Sequence, residues 1–444
     1  MKGEEQTVIL GGGVTGLAAG VASGGLVLEA EDTPGGICAS YYVGVRSGKV
    51  YPHLPDQEPA FRFEKGGGHW IFGGDPAVLR FISRLSPCQR YTRNSAVYFP
   101  QWDLYVPFPL QNHLAYLPKE LAARALEEMV ARPGNVAGVE TMAQWLERAF
   151  GPTLCELFFF PFHELYTAGL YRTVAPQDPY KTPLHVPTVI RGAFGQAEPT
   201  GYNQTFIYPE QGLDHLVRGL ASGCRLHTSS HVCSIDLRER AVHLADGRVV
   251  AYTNLVSTLP LDKTLILAGL TTSSNPDPAT AVLVVNVGGV PGKRCPRYHW
   301  VYFPSSQSGF HRVGFYTNVA PHFRPLESTV PLAGLYIERS FLPGALPQGE
   351  DLTAAAQAMV QEVVDLGYLE EVLVVHWNTI PKAYTWRWPG SRWQQEAQQL
   401  LLENGVVPAG RFGRWTFQGI AESLAQGLLI GAAAAAIKQL TQDH

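Results

Sequence analysis

Three glycines between two short apolar segments constrain the fold of this chain more than any other feature. Gly11, Gly13 and Gly16 follow the apolar run Thr7–Leu10. A short helical segment leads from them to a second apolar run, Leu26–Leu28. Apolar runs of this length, bounded by glycine, are typical of buried strands. The order of strand, tight turn, helix and strand therefore predicts a βαβ unit of the dinucleotide-binding type.

Each glycine of the turn has its own physical role in such a unit. Gly11 permits the tight turn, Gly13 lets the backbone approach a pyrophosphate, and Gly16 lets the helix pack on the strand. The free N–H groups and the dipole of the helix N-terminus then favour an anion. Glu29 closes the second strand, where an acidic residue accepts a ribose hydroxyl and favours the unphosphorylated ribose of FAD. The alternative for Glu29 is a solvated strand end.

A second glycine turn follows directly. Pro34-Gly35-Gly36 would let the chain pass close to the pyrophosphate of a bound dinucleotide. The two turns together predict a Rossmann-like domain that binds FAD. No Cys or His lies in a recognised flavinylation context, so we expect the FAD to be held non-covalently.

Composition narrows the classes of partner. The chain has 444 residues, too many for one hydrophobic core, and a net charge of -4, which disfavours a nucleic-acid binder. Its six cysteines form no C-x-x-C pair, so we expect neither a disulfide framework nor a metal site. That cysteine usage favours a reducing cytoplasm. No apolar run reaches the roughly 18 residues of a membrane span, so we expect none.

The pattern of elements divides the chain into two domains built from separated segments. Helical periodicity dominates much of the first half, whereas short apolar strands dominate the second half. We predict an α/β fold in which residues 1–75, 200–290 and 405–444 form the Rossmann-like FAD-binding domain. Residues 76–199 and 291–404 would form a discontinuous α+β substrate domain, with a helical cap and an antiparallel sheet.

Four further motifs lie in order along the chain. They are Gly67–Phe72, Val106–Asn112, Tyr302–Pro304 followed by Arg312, and Gly410–Trp415. With these motifs the chain resembles the FAD-dependent superfamily that includes amine oxidases, phytoene desaturases and UDP-galactopyranose mutases. Within that superfamily it is most similar to the eukaryotic-type mutases.

The resemblance implies roles for individual residues. His69, with Gly68 before it, would lie against the flavin ring, and Arg411 would anchor the flavin. Arg312 and Arg172 would be the cations that hold a substrate diphosphate, and with His69 they are the expected catalytic residues. Seven more residues are expected to contact the substrate, namely Phe108, Gln111, Asn112, His163, Tyr302, Tyr384 and Phe417.

Some of these residues have simpler alternatives. Arg312 lies in an apolar strand, where an unpaired guanidinium is costly, so it meets either an anionic ligand or a buried carboxylate. His69 follows three glycines, which indicates close backbone approach and favours a flavin-side role over a core histidine. Tyr302 and Tyr384 can equally be aromatic core residues.

The chain also departs from the mutases around the sugar. His163, Thr167 and Phe417 replace residues that would contact the sugar or its diphosphate, and Ser423-Leu424-Ala425 replaces a polar segment. The flavin site therefore resembles that of the mutases more closely than the sugar site does. We expect a preferred substrate other than UDP-galactose, or weak binding of UDP-galactose.

Three functions are consistent with these residues. The resemblance implies a mutase that interconverts pyranose and furanose forms of a nucleotide sugar through N5 of reduced flavin, with NAD(P)H as a candidate external reductant. The alternative is an oxidoreductase of the amine oxidase or desaturase type, whose pocket would lack paired arginines and show a lysine or an aromatic cage. The third function is a non-enzymatic escort-type scaffold. Glu29, the Gly35-Gly36 turn and His69 argue against the scaffold, which needs no flavin site.

Overall fold

Strand β1 (Thr7–Leu10), helix α1 (Val14–Ser23) and strand β2 (Leu26–Leu28) form the βαβ unit that the glycine turn predicted. The two strands pair in parallel, and every residue in them is buried. The computed structural model describes four stretches of the chain, residues 7–131, 138–177, 184–197 and 203–442, the last six by their backbone alone.

The remaining strands are short except in one sheet. In chain order they are β3 (Ser40–Gly44), β4 (Val50–Tyr51), β5 (Ala60–Glu64), β6 (Ile71–Phe72), β7 (Cys88–Thr92), β8 (Ser95–Phe99), β9 (Leu104–Pro107), β10 (Thr205–Pro209), β11 (Arg225–His227), β12 (Val232–Asp236), β13 (Ala241–Leu244), β14 (Val249–Ala251), β15 (Asn254–Ser257), β16 (Ala279–Pro291), β17 (Trp300–Tyr302), β18 (Arg312–Phe315), β19 (Ala333–Phe341), β20 (Leu369–Thr385) and β21 (Val406–Pro408).

The helices after α1 surround these strands. In chain order they are α2 (Pro76–Leu85), α3 (Lys119–Ala131), α4 (Met142–Leu154), α5 (Phe160–Tyr166), α6 (Val186–Ala193), α7 (Leu213–Ser222), α8 (Leu261–Leu267), α9 (Gly349–Asp365), α10 (Trp393–Glu403), α11 (Gly410–Gly413) and α12 (Ile420–Gln442). Among the helices of the described stretches, none combines the length and the apolar character that crossing a membrane requires.

A parallel five-stranded sheet has the order β11, β2, β1, β15, β21. Its strands come from three distant parts of the chain, because Val8 of β1 pairs with Leu255 and Leu255 pairs in turn with Val406. The carboxyl ends of parallel strands meet at one edge of a sheet, and ligands of such sheets bind at that edge. The turn between β1 and α1 lies there.

The largest sheet among the described residues has seven strands, in the order β20, β16, β19, β18, β17, β8, β9, and we call it the main sheet. It is antiparallel except for the parallel pair of β17 and β8. Its register places Tyr302 beside Arg312, and Arg312 beside Glu338. Directly paired residues of antiparallel strands point to the same face. The main sheet therefore presents these three side chains in a row.

Helices α3 to α6 lie between residues 76 and 199, and we propose that they form the helical cap of the substrate domain. Helix α4 is broken at Gly151 (φ 76°), which Pro152 follows, and the chain continues through a π-helical turn, Cys155–Phe159, into α5. Such wide turns within helices frequently occur at functional sites. Phe158 and Phe159 are buried in this turn.

The sheets also bear on the domain boundaries. The parallel sheet takes its strands from the three segments assigned to the FAD-binding domain, residues 1–75, 200–290 and 405–444. Strand β16, however, pairs with β19 and β20 in the main sheet, although most of it lies before residue 290. We propose that the second segment of the FAD-binding domain ends just before Ala279.

Helix α12 packs along α1 through small residues. A Cβ atom on Gly427 would lie 2.2 Å from the carbonyl oxygen of Thr15, and one on Gly431 would lie 2.4 Å from that of Ala19. A contact with backbone cannot be relieved by rotating a side chain. Both positions therefore require glycine for the two helices to approach this closely.

We expect Gly427→Leu to destabilise the protein by about 3 kcal/mol, because the added side chain overpacks a rigid backbone. The midpoint of thermal unfolding, followed by circular dichroism, measures the effect. Leu429→Ala is the matched control, because Leu429 is on the same helix but 73% exposed, and its effect should stay within about 0.5 kcal/mol. Equal midpoints for the two variants would contradict the close packing of α12 on α1.

Candidate functional site

One cavity of about 780 Å³ runs from the glycine turn to the helical cap. Its wall is formed successively by the turn after β1, the loop that carries His69, the main sheet, and helices α4 and α5. A cavity of this size, with a few polar groups among apolar ones, is typical of a binding site for a cofactor or small molecule.

The glycine turn forms one end of the cavity and is open where a phosphate would approach. A Cβ atom on Gly13 would meet no other atom within 4 Å, and Gly13 has an ordinary backbone conformation with φ -71°. A Cβ atom on Gly16 would instead lie 1.9 Å from the carbonyl oxygen of Gly11. Gly16 is therefore needed for packing, whereas Gly13 keeps space open for a ligand. Gly11 has φ 97°, which favours glycine.

Glu29 lies at the end of β2 with its carboxylate held against the turn. Its Oε2 accepts a hydrogen bond from the N–H of Gly12 at 2.6 Å, and its Oε1 accepts one from the N–H of Glu31 at 2.9 Å. Each carboxylate oxygen has a further lone pair, so the fixed group can still accept ligand hydroxyls. Glu29 is buried and lines the cavity, which excludes the solvated strand end.

Two later turns close over the first. The N–H of Gly35 donates to the carbonyl of Gly12 at 2.8 Å, and both Gly35 and Gly36 line the cavity. From the far end of the sequence, Gly410 packs so closely that a Cβ atom on it would lie 2.7 Å from Oγ1 of Thr15. Three turns, each with glycine at the point of closest approach, thus surround the N-terminus of α1. This cradle fits the pyrophosphate of a dinucleotide.

The loop that carries His69 forms the wall between the glycine turn and the main sheet. A Cβ atom on Gly66 would lie 2.5 Å from the His69 ring, and one on Gly68 would lie 2.5 Å from the hydroxyl oxygen of Tyr336. The Nδ1–H of His69 donates to the Gly67 carbonyl at 3.1 Å, which leaves Nε2 as an acceptor. Burial lowers the pKa of His69 to about 4, so the ring is neutral at physiological pH.

Arg411 lies in the C-terminal motif and is held by aromatic rings. Its guanidinium is 4.6 Å from the ring centre of Phe417 and 5.4 Å from that of Tyr384. Its Nη2 donates to the carbonyl of Ala383 at 2.9 Å. Arg411, Phe417 and Tyr384 all line the cavity. A fixed cation at this place favours an anionic or electron-rich group beside the His69 loop.

Arg312 also lines the cavity, and it is paired with a carboxylate. Its Nε donates to Oε2 of Glu338 at 3.0 Å, and its Nη2 donates to Oε1 at 2.7 Å. Burial opposes the ionisation of Glu338, but Arg312 and then His311 outweigh it and hold its pKa below the usual range. Of the two partners expected for Arg312, the structure shows the buried carboxylate.

Glu338 and His311 complete a buried cluster that our sequence analysis missed. Nε2 of His311 lies 3.5 Å from Oε2 of Glu338, and burial lowers the pKa of His311. On its other side Glu338 meets the His69 loop, because a Cβ atom on Gly67 would lie 2.9 Å from Oε1. A signal for Glu338 was present in the sequence, since it is an acidic residue that directly follows the apolar start of its strand, residues 333–337.

The part of the cavity beneath the cap is lined by aromatic rings, and we call it the cap chamber. It comprises Phe108, Phe162, Tyr166, Tyr302, Tyr384 and Trp386. The Tyr166 ring lies 4.8 Å from Tyr384 and 5.6 Å from Trp386, and the Phe162 ring lies 5.3 Å from Tyr302, all edge to face. Burial and then Glu338 raise the pKa of Tyr384 to about 12, so its hydroxyl stays protonated.

His163 lies beside the cap chamber, as the resemblance implied. It lines the cavity from α5, and its Nδ1–H donates to the Phe159 carbonyl at 2.6 Å. Its Nε2 is therefore an acceptor. Burial lowers the pKa of His163 to about 4, so it adds no positive charge to the chamber at neutral pH.

Two expected substrate residues lie behind the cavity wall that the described residues define. Gln111 and Asn112 are buried in a single helical turn, Leu110–Asn112, that packs on α6. The packing is tight, because a Cβ atom on Gly192 of α6 would lie 2.0 Å from the Asn112 carbonyl oxygen. Phe108, from the same motif, does line the cavity. The motif thus contributes one ring to the chamber, whereas Gln111 and Asn112 are buried behind it.

The structure corrects the expected position of Arg172. It does not line the cavity among the described residues, and its side chain is 61% exposed in an ion pair with Glu164 at 2.9 Å. The reason is local, because α5 ends at Tyr166 and Gly169, with φ 83°, turns the chain away. The second diphosphate cation that the resemblance implied is therefore not at the site.

The charged side chains that line the cavity balance one another. Among the described residues they are three arginines and three glutamates, namely Arg93, Arg312, Arg411, Glu29, Glu338 and Glu422. Arg93, which our sequence analysis also missed, donates from Nη2 to the Phe108 carbonyl at 3.1 Å. With the buried histidines neutral, these side chains carry no net charge.

Comparison with known proteins places this site in a flavoprotein fold. The family model described as flavin containing amine oxidoreductase matches residues 25–281. The chain is similar to the structure of reduced UDP-galactopyranose mutase, with a TM-score of 0.83 and 21% identity over 98% of this chain and 96% of that one. It is also similar to cyclohexylamine oxidase from Brevibacterium oxydans IH-35A, with a TM-score of 0.63 and 14% identity over 98% and 100%.

An oxidoreductase from Methanosarcina mazei is similar as well, with a TM-score of 0.61 and 14% identity over 96% of this chain and 99% of that one. At these identities the likeness concerns the fold. It confirms the predicted α/β architecture, which the mutase and the oxidases share, and the family model confirms the resemblance to flavin-containing amine oxidoreductases. Which reaction the chain catalyses has to be inferred from the side chains that line the cavity.

We expect Gly13→Val to abolish the retention of flavin, because its side chain would occupy the open space at the N-terminus of α1. The flavin content of the purified protein, measured from its absorbance against protein concentration, tests this. Gly344→Val is the matched control, because Gly344 also has open space around its Cβ position but lies outside the cavity. Normal flavin content in Gly13→Val would place the pyrophosphate elsewhere.

The pairing of Arg312 with Glu338 leads to a second expectation. Arg312→Met should destabilise the protein by about 3 kcal/mol, because it leaves a buried carboxylate without its partner. The double variant Arg312→Met/Glu338→Gln should recover about 2 kcal/mol of that loss. Arg172→Met, which removes an exposed ion pair, should change stability by at most about 0.5 kcal/mol. Thermal unfolding of the four proteins gives the comparison, and an Arg312→Met effect as small as that of Arg172→Met would contradict the buried pair.

Proposed function

The chain belongs to the family of flavin-containing amine oxidoreductases, and from this premise we propose that it is an FAD-dependent oxidoreductase acting on a small organic molecule of low charge. The observation that carries the proposal is the state of Arg312, which is already neutralised by Glu338 at the edge of an aromatic chamber. A substrate diphosphate would need cations there that have no carboxylate of their own.

The residues of the cradle fit FAD. The N-terminus of α1 behind Gly13 would hold the pyrophosphate, and Glu29 would accept the ribose hydroxyls. His69 and Arg411 line the same cavity, Arg411 beside Tyr384 of the cap chamber, and they would flank the ring system. When bound, the flavin supplies hydride acceptance, taking a hydride from a substrate carbon whose neighbouring N–H or C–H loses a proton.

The cap chamber determines what kind of substrate can be held. Its rings bury apolar or planar groups and exclude water, and their faces also attract a cationic group such as an ammonium. The Tyr384 hydroxyl stays protonated, and the neutral His69 and His163 each leave Nε2 as an acceptor. These groups suit a substrate with one polar atom on an apolar body. The chain's own part in the reaction is to orient that substrate and keep the site dry.

The charge balance argues against a second diphosphate in the same cavity. The lining side chains sum to zero, and the FAD itself would bring two phosphate charges into the cavity. A nucleotide sugar would add two more in a region of low dielectric constant, where like charges repel strongly. Arg172, the expected second cation, is at the surface. A neutral or cationic substrate meets no such penalty.

A nucleotide-sugar mutase is the second candidate, and one observation favours it. Arg93 and Arg312 both line the cavity near Phe108 and Tyr302, so two guanidinium groups border the same chamber. In that reaction the diphosphate would compete with Glu338 for Arg312. The preference for an uncharged or cationic substrate follows from that competition.

The decisive experiment compares the two reactions on one preparation. We expect the oxidised, FAD-loaded protein to be bleached under anaerobic conditions by at least one member of a panel of alicyclic amines, aromatic amines and hydroaromatic compounds. The dithionite-reduced protein, incubated with UDP-galactose and other sugar nucleotides, should yield no furanose product by chromatography. Furanose formation without bleaching would assign the mutase reaction instead. A purified protein that binds no FAD would assign the scaffold.

A substitution in the cap chamber tests whether the compound that bleaches the flavin binds there. Tyr166→Ala should weaken the binding of the bleaching compound about tenfold, because it removes an aromatic wall of the chamber. Tyr116→Ala removes an aromatic ring that is 52% exposed on the cap surface, and it should leave the affinity unchanged. An equal effect of the two variants would move the substrate out of the cap chamber. The concentration dependence of the bleaching rate gives the affinity in each case.

A further inference from the structure

A second buried carboxylate, Glu64, contacts the His69 loop. Glu64 is the last residue of β5, immediately before the loop, and it is 0% exposed. Its Oε2 accepts a hydrogen bond from the backbone N–H of His69 at 3.3 Å. Its Oε1 accepts a short hydrogen bond from the hydroxyl of Tyr208. The loop thus lies near two buried carboxylates from different sheets, and Glu64 is the one that accepts a hydrogen bond from it.

The counter-charge of Glu64 is shared with a second acid. Nη2 of Arg62 lies 2.8 Å from Asp214 but 3.6 Å from Glu64, and it also donates to Oγ of Ser40 at 2.8 Å. Arg62 is as deeply buried as Glu64. Glu64 is therefore the less neutralised of the two acids around this arginine. Its remaining stabilisation comes from Tyr208 and from the N–H of the His69 loop.

We propose that Glu64 is the positioning residue of the His69 loop, and that its carboxylate, while ionised, holds the wall of the flavin site in place. A charged acceptor makes hydrogen bonds roughly twice as strong as a neutral one, and a protonated carboxyl uses one oxygen as a donor. Protonation of Glu64 would therefore weaken its bond to the His69 N–H and loosen the loop. This inference rests on the flavin binding of the proposed function, and it holds for either candidate reaction.

The surroundings of Glu64 set the pH range of this effect. Burial raises the pKa of Glu64 to about 7, against the opposing effects of Arg62, Tyr208 and the His69 N–H. The ionised fraction then falls as pH decreases through about 7, so the flavin should bind more weakly on the acid side. The titratable and charged groups that face Glu64 from the elements around it are Arg62, Cys38, His69, Tyr208, Asp214 and Tyr316.

Several of these neighbours keep one protonation state over that range. Burial lowers the pKa of His69 to about 4 and raises that of Cys38 to about 12. Burial also raises the pKa of Tyr208 and Tyr316 well above the usual value. A titration near pH 7 that is lost on replacing Glu64 therefore reports this carboxylate.

The test measures the Kd of FAD for the apoprotein, from the quenching of FAD fluorescence, between about pH 5.5 and about pH 8.5. We expect the wild-type Kd to rise about tenfold as pH falls, with a midpoint near 7. Glu64→Gln should bind FAD with a Kd that is independent of pH and close to the wild-type value at acid pH. Glu58→Gln should keep the wild-type profile, because hydrogen bonds from Ser47 and Tyr51 lower the pKa of this surface carboxylate to about 2.

A second variant keeps the carboxylate and changes only its partner. Tyr208→Phe removes the hydroxyl that donates to Oε1 of Glu64, so the midpoint of the Kd profile should move to higher pH. If circular dichroism shows that Glu64→Gln does not fold, Tyr208→Phe tests the role of Glu64 in its place. A wild-type protein that binds FAD without pH dependence, a wild-type profile in Glu64→Gln, or an unmoved midpoint in Tyr208→Phe would overturn the role of Glu64. A wild-type protein that binds no FAD at any pH would overturn the proposed function as well.

Discussion

The other features of this structure depend on a few glycines at which one backbone segment lies directly against another. Helix α1 can start beside β1 only because Gly16 lies against the carbonyl of Gly11, and α12 can lie along α1 only because Gly427 lies against that of Thr15. Gly410 then packs on the same end of α1. These contacts leave the N-terminus of the helix exposed to one end of the cavity. The remainder of the site, including the His69 loop and the cap, is arranged around that opening.

The sequence was sufficient for local features and insufficient for those that depend on strand register. The βαβ unit, the helical cap and the cradle follow from glycine spacing and apolar periodicity, which act over a few residues. The partner of Arg312 depends on the alignment of β18 with β19, which no local pattern specifies. The exposure of Arg172 depends on the residue at which α5 ends, and helix ends are the least predictable feature of a helix. The role of Glu338 depends on the same alignment, because the acidic residue itself is visible in the sequence but its partner is not. Arg93 lies between β7 and β8 and lines the cavity from there, at a position that no local motif marks.

One fold accommodates both reactions considered for this chain, so the chemistry has to be found in a few side chains. The main sheet would have the same shape with or without a carboxylate at position 338, but the charge presented to the chamber would differ. With Glu338 present, Arg312 acts as half of a dipole rather than as a free cation. The rings of the cap chamber then dominate the surface that a substrate meets. The chamber is best described as apolar with a few fixed hydrogen-bonding groups.

The parallel sheet has its central strand at the beginning of the chain and its edge strand β21 near the end. During synthesis the first βαβ unit therefore emerges long before the strand and the helix that cover it. Gly13 and Gly410 become neighbours of one cradle only after all of the chain between them has been made. Long-range closure of this kind is slow, and it leaves apolar surface exposed in the meantime. Since the proposed flavin cradle takes residues from both segments, we expect flavin to bind late in folding. It would then stabilise the assembled molecule and would not direct the folding of the first βαβ unit.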